Sequence, residues 1–393
     1  MRARRLSSPV QQELHDLIHE HGRITFAQFM HTCLYSQHGG FYSSRRTGIG
    51  THFGTAPMSH PAFGTLIARQ LRQMWHLLDT PPVFHLVEVG CGDGALAQSI
   101  VHACRSEHPD FARALCYVAS DYSPYWLQGI GQGVYRQDVL EKDTGRDAPM
   151  TPSMQRVRTA GIRAFGNIVG CILSNELLDN FPVHRFVIQG AKLREIYITS
   201  SNGAFVEVVD EPSSPRLEAR IASLGITLAE GQRGEICLAI EDWVRDASAA
   251  LARGFMLTID YGDRCDNLYS PTNAEGTLVC YHRHAALADP YRNIGEQDIT
   301  SHVDFTTLMQ LGERHGLATA GYALQREFLH NLGFRAFVDA LPAQGQSAAR
   351  TEFARLALMT LVNPDEYGDF KVLAQCKGLA PGFALKGFVA AGP

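Results

Sequence analysis

Residues 83–95 read Val83-Phe84-His85-Leu86-Val87-Glu88-Val89-Gly90-Cys91-Gly92-Asp93-Gly94-Ala95. A short apolar run that halts at alternating glycines predicts a buried parallel strand running into a tight turn. Glycines there let the chain bend sharply and let a ligand approach the backbone. Residues 95–103 read as the helix that returns over the sheet. Working outward, 115–119 ends at Ser120-Asp121, 168–173 ends at Ser174-Asn175-Glu176, and 255–259 ends at Asp260-Tyr261-Gly262. Four strands that each close on a polar residue predict a doubly wound α/β sheet with its ligand outside their carboxyl ends. Residues 317–324 and 370–375 are further strand candidates.

Two ligands compete for the glycine turn. Gly90-Cys91-Gly92-Asp93-Gly94-Ala95 satisfies GxGxxA, the pattern of an NAD-dependent oxidoreductase, which holds a pyrophosphate on a helix N-terminus. Glu88 and Asp93 would repel that anion. They suit a ligand carrying an ammonium and a sulfonium, as S-adenosyl-L-methionine (SAM) does, with S-adenosyl-L-homocysteine as its product. Asp121, at the end of the second strand, is placed to accept hydrogen bonds from both ribose hydroxyls.

The remainder of the chain surrounds this core. Residues 11–36 read as helices, Thr25 capping the second. A glycine-rich stretch at 39–57 reads as a loop, expected to act as a lid that shields a reacting sulfonium from water. From Pro61, Phe63, Leu66, Ile67, Leu71, Met74, Trp75 and Leu78 form one helical face that Pro81-Pro82 terminates. The expected organisation is an N-terminal helical and loop cap at 1–80 and a core at 81–393. That core carries an insertion at about 190–245, read as a hairpin and a helix, and a substrate-side insertion at about 262–300. Asp304 reads as the cap of a helix through Leu308, Leu311 and His315.

Composition narrows the class. The chain has 393 residues, 45% hydrophobic and 19% charged, as in an ordinary globular protein. A net charge of −5 supplies no basic face for nucleic acid. No apolar run reaches the roughly 20 residues that span a bilayer, so no membrane is expected. Nine cysteines without a CxxC pair argue against a disulfide framework or zinc site and for a reducing compartment. The basic start Met1-Arg2-Ala3-Arg4-Arg5 reads as a solvated tail of a cytoplasmic protein. Its alternative is a presequence for the mitochondrial matrix, although Glu13 and Asp16 follow soon after. A homodimer is compatible with this composition.

Several separated motifs, in shared order from about Ile24 to Leu379, resemble the MidA family of SAM-dependent methyltransferases. They are Gly39-Gly40-Phe41-Tyr42; Phe53-Gly54-Thr55-Ala56-Pro57 with Ser59 and Phe63-Gly64; the glycine turn; Ser174-Asn175-Glu176-Leu177-Leu178-Asp179-Asn180-Phe181-Pro182-Val183; Ile259-Asp260-Tyr261-Gly262; Asp298-Ile299-Thr300-Ser301-His302-Val303-Asp304-Phe305; and Phe370-Lys371-Val372-Leu373-Ala374. The resemblance implies a class I SAM-dependent methyltransferase fold, Rossmann-like and seven-stranded with an antiparallel last strand, plus a helical and loop cap. It also implies kinship with a mitochondrial complex I assembly factor that methylates an arginine. By the resemblance Gly90, Gly92 and Gly94 line the cofactor, Asp121 takes the ribose, and Asn175-Glu176 flanks the reacting methyl; Glu88, Tyr122, Asn175, Thr55 and Pro57 are the further candidates for cofactor contact. Two departures stand on the expected substrate side: Met58 where family members carry an acid, and Ile294-Gly295 where they carry Pro-Gly.

Glu176, Asp179 and His302 are the catalytic candidates. The two carboxylates would share a face if a helix began at Glu176, binding the acceptor, serving as base or capping that helix. His302 could act as a general base near neutral pH. His282 and His284 are the only close histidine pair in a plausible loop, too weak a signal for a metal, so none is expected. The acceptor is a nitrogen or oxygen nucleophile, either a protein arginine or a small metabolite with a carboxyl or hydroxyl. A non-catalytic SAM-binding assembly or interaction protein and the NAD-dependent oxidoreductase remain as alternatives.

Overall fold

Capping chemistry starts the first two helices. Ser8 and Gln11 bond reciprocally, the Ser8 hydroxyl accepting from Gln11 N–H at 3.2 Å, and Pro9 occupies the first turn of α1 (Pro9–His21). Thr25 and Gln28 repeat the device for α2 (Phe26–Tyr35), so Thr25 caps as expected. The structure, a computed structural model of the chain, describes residues 8–43, 55–122, 153–159, 161–283, 285–341 and 347–389. Most of the expected lid, at 44–54, and His284 lie outside the described residues.

The chain forms two compact units. The first gathers Met1–Phe53, Leu178–Asp242 and Gly262–Leu308; the second gathers Gly54–Leu177, Trp243–Tyr261 and Met309–Pro393. A cut at residue 80 therefore does not describe them. The short helix α3 (Ala56–Ser59) and the long α4 (Ala62–Leu77), expected in a cap, both belong to the second unit. The reason is burial: Phe63, Leu66, Ile67, Leu71 and Met74 of α4 are fully covered, in one core with α5 (Ala95–Glu107) and the sheet. Each such side chain contributes about 2 kcal/mol of apolar burial.

The second unit is built on seven strands: β1 (Phe84–Val89), β2 (Leu115–Asp121), β3 (Ser153–Arg158), β4 (Ile168–Asn175), β5 (Leu251–Asp260), β6 (Ala318–Leu324) and β7 (Lys371–Lys377). Their order is β6-β7-β5-β4-β1-β2-β3. The five from β1 to β5 pair in parallel, and β7 runs antiparallel to both β5 and β6. The chain moves outward from β1 through β2 and β3, then returns to the other side of β1 as β4. That reversal opens a crevice at the carboxyl ends of β1 and β4. The seven-stranded α/β fold with an antiparallel last strand is as expected; β3 had not been read from the sequence.

In the first unit, residues 192–201 and 204–210 form the expected hairpin and Pro215–Leu224 the expected helix. The hairpin is part of a five-stranded antiparallel sheet with His184–Gln189, Arg233–Ile236 and the dipeptide Ile24–Thr25. α1 and α2 share a core with Ile198, Cys280, Ile294 and Ile299. Val279–His282 pairs with Ala285–Leu287 and Asp298–Thr300 in a three-stranded sheet. Asp304 caps the helix Phe305–Arg314, accepting from Thr307 N–H at 3.0 Å. None of the nine cysteines is in a disulfide, and no described helix is long and apolar enough to cross a membrane.

Candidate active site

The glycine turn after β1 is held by β2. Gly90 and Cys91 N–H both donate to Ser120 O, at 2.9 and 3.1 Å. Gly92 N–H donates to Asp121 Oδ2 at 3.0 Å. Gly90, Gly92 and Gly94 have φ of 76°, 50° and 81°, a region that residues with a Cβ disfavour. Glu88 pairs with Ala119, so Asp121, two residues further, points to the same sheet face as Glu88. The two acids and the glycines thus form one locus. Asp93 Oδ1 accepts from Ala95 N–H at 3.0 Å, at the start of α5.

Glu88 is only 3% exposed, and its Oε2 accepts from the Tyr117 hydroxyl at 2.7 Å. Burial and the adjoining Glu88 carboxylate hold the Tyr117 hydroxyl far above its ordinary value, so it stays a donor. Glu88 therefore borders the locus from within the sheet. Tyr122, next after Asp121, is 42% exposed.

At the end of β4 the chain makes no α-helix. Glu176 takes φ 50°, and only a single 3₁₀ turn follows, at Leu178–Asn180. The shared helical face expected for Glu176 and Asp179 is therefore absent, and with it the helix-capping reading. Sequence spacing assumed a helix where a left-handed residue redirects the chain. Glu176 N–H donates to Ile259 O at 2.9 Å. Its Oε1 accepts from Asn175 Nδ2 at 3.0 Å and from Ala56 N–H of α3 at 3.3 Å. The motifs around Thr55–Pro57 and Ser174–Glu176 thus meet, Thr55 buried at the head of α3 and Pro57 within it. Tyr367, which sequence reasoning missed, is pushed up to about 12 by burial and then by the Glu176 carboxylate.

These residues fit SAM. Asn175 Oδ1 is buried without a hydrogen-bond partner among the described residues. An unpaired acceptor beside a carboxylate suits a donor-bearing cation and disfavours a pyrophosphate.

A family model of S-adenosyl-L-methionine-dependent methyltransferases matches residues 66–323. The chain belongs to the MidA family of these methyltransferases. It is 30% identical to a superfamily member from Burkholderia thailandensis whose crystal structure holds S-adenosyl-homocysteine; the TM-score is 0.80, covering 96% of this chain and 94% of that one. It is 27% identical to the Drosophila melanogaster mitochondrial protein arginine methyltransferase NDUFAF7 homolog, over 91% of this chain and 82% of the relative. The human NDUFAF7 is 25% identical, over 92% and 82%. This methyltransferase is therefore SAM-dependent.

Asp179 and His302 of the methyltransferase fall in the first unit, apart from the glycine locus in the chain's division. Ser301 N–H donates to Asp179 O at 3.0 Å, so these two candidates share a neighbourhood. His302 is exposed, and its N–H donates to the Thr277 hydroxyl at 3.2 Å. Asp179 is 3% exposed. Beside it Asn180 and Tyr42 join Asp298, residues of three quoted motifs that had not been read as one cluster. Nothing in their spacing announces this, because 138 and 118 residues separate them.

Proposed function

We propose that the chain methylates a protein arginine, with the glycine locus holding SAM and Glu176 engaging the guanidinium. The observation that carries this reading is Glu176 itself: a carboxylate on a left-handed turn at the carboxyl end of β4, beside the locus. The relatives named above as protein arginine methyltransferases support the acceptor.

Glu88 and Asp121 would attract the cationic ligand, Asp121 accepting from the ribose while it anchors Gly92. Asn175 Oδ1 would take an ammonium hydrogen, and Gly90, Gly92, Gly94, Thr55, Pro57 and Tyr122 would line the ligand. Bound SAM supplies a methyl on a positively charged sulfur, transferred by in-line displacement. A guanidinium is always protonated, so its attacking nitrogen needs its electron pair localised. Glu176, accepting hydrogen bonds from the guanidinium, would draw the positive charge to the far nitrogens and orient the near one. The proton released on methylation would pass to the Glu176 carboxylate, within the same unit as the locus.

A small-molecule oxygen acceptor is the second reading. Met58, 39% exposed in α3, stands where family members carry an acid, which leaves one carboxylate fewer for a guanidinium. Incubation with methyl-labelled SAM and a soluble protein extract separates the two. Label recovered in methylarginine after acid hydrolysis supports the first. Label in base-labile esters or in the small-molecule fraction overturns it.

The fly and human relatives are named mitochondrial, and the basic start of this chain is compatible with the matrix. Nine cysteines without a disulfide support a reducing compartment, matrix or cytoplasm.

A further inference from the structure

We infer that Asp260 is a positioning residue of the methyl-transfer site: its carboxylate fixes the turn that presents Glu176 and seats Leu177 against the glycine loop. The inference rests on the reading of Glu176 proposed above.

The last register pair of the parallel strands β5 and β4 is Ile259 with Asn175. Beyond it the pairing ends: the Glu176 amide still reaches a β5 carbonyl, whereas the Leu177 amide bonds a side chain. Glu176 sits in a backbone region that side-chain-bearing residues avoid, so something must hold it there. The hold is a double staple. Glu176 N–H donates to Ile259 O at 2.9 Å, and Leu177 N–H donates to Asp260 Oδ2 at 3.1 Å. Asp260 is fully buried and accepts from Tyr261 N–H through Oδ1 at 3.0 Å, so one carboxylate bridges both departing chains.

The same staple reaches the glycine loop. A Cβ built on Gly90 would lie 2.8 Å from Leu177 Cδ1, so the leucine side chain lies directly on the first glycine. Asp260 thereby sets the acidic side chain after β4 and one wall of the turn after β1.

A double-mutant cycle on the full-length protein tests this, with calorimetric titration of SAM and of S-adenosyl-homocysteine as the readout. A carboxylate near the sulfonium favours SAM over its product, whose sulfur carries no charge. Glu176→Gln is therefore expected to lower the SAM-to-product preference roughly fivefold. Asp260→Asn, which opposes an amide to Leu177 N–H, is expected to lower the same ratio. The double variant is expected to fall no further than Glu176→Gln alone. A purely structural Asp260 would lower the melting temperature, or weaken both ligands equally, and leave the ratio intact; that result, or additive losses in the double variant, overturns the inference. If Glu176→Gln leaves the ratio unchanged, the reading of Glu176 fails and carries the inference with it. A wild-type protein that binds neither ligand defeats the cofactor site as a whole. Should Asp260→Asn not fold, Leu177→Ala keeps the backbone bond but removes the contact with Gly90. It is expected to shift the ratio in the same direction, and an unchanged ratio there overturns the inference equally.

Discussion

The hydroxyl of Tyr42 lies 2.9 Å from Asp298 Oδ2 and 2.9 Å from Asn180 Oδ1. Asn180 Nδ2 in turn donates to Asp298 Oδ1 at 2.9 Å and to Ile299 O at 3.3 Å, which fixes the orientation of its amide. One hydroxyl hydrogen cannot serve two acceptors well. The ring closes fully only if Asp298 carries a proton, donating to Tyr42, which then donates to Asn180. Burial, and next the nearby Asp179 carboxylate, push Asp298 up to about 8. Tyr35, which is stacked on Tyr42, and Cys280 also face this cluster.

The sign of the pH effect follows. An acid whose folded value exceeds its unfolded value binds more protons when folded, so its contribution is complete below about pH 4. It is lost as pH rises towards 8. Asp298→Asn places a permanent donor where the proton sits. It is expected to be folded, and to flatten the fall in melting temperature between pH 5 and 8. Asp298→Ala leaves Tyr42 and Asn180 short of partners and is expected to cost about 1–3 kcal/mol. A pH slope unchanged in Asp298→Asn would show that Asp298 is ionised throughout.

Asp121 accepts from Gly92 N–H and is proposed to face the ligand as well. Asp121→Ala is expected to weaken SAM binding by at least roughly tenfold, read by calorimetry. Asp121→Asn, which keeps one acceptor for Gly92, should fall between. Equal affinity in all three proteins would remove Asp121 from the site.

Tyr117→Phe removes a donor from the buried Glu88 carboxylate while filling the same space. A loss of about 1–3 kcal/mol in denaturant unfolding is expected. A variant as stable as the wild type would mean that other partners satisfy Glu88.

Leu71→Ala in α4 empties a fully buried position in the core of the second unit. It is expected to cost about 2–5 kcal/mol, against little change for a truncation at the exposed Leu356. Comparable losses at both sites would contradict the placement of α4 in the core.

Much of the sheet was legible from local patterning. Apolar runs ending at Gly90, Asp121, Asn175 and Asp260 announce strands because a strand buried on both faces admits few polar residues. The capping pair Thr25 and Gln28 is equally local. β3 escaped notice because an edge strand with neighbours on one side needs less apolar surface; its Ser-Met-Gln-Arg-Val-Arg shows no clear alternation.

The residue types that favour a cationic nucleoside, Glu88, the three glycines and Asp121, were determined by the sequence itself, since a strand and its turn specify one another at short range. The left-handed turn at Glu176, the closed ring of Tyr42, Asn180 and Asp298, and the grouping of three separate stretches into each unit were decided only in three dimensions. Those features depend on donors and acceptors brought together from positions more than a hundred residues apart, or on an amide whose partner lies on another strand. No local pattern encodes such partners.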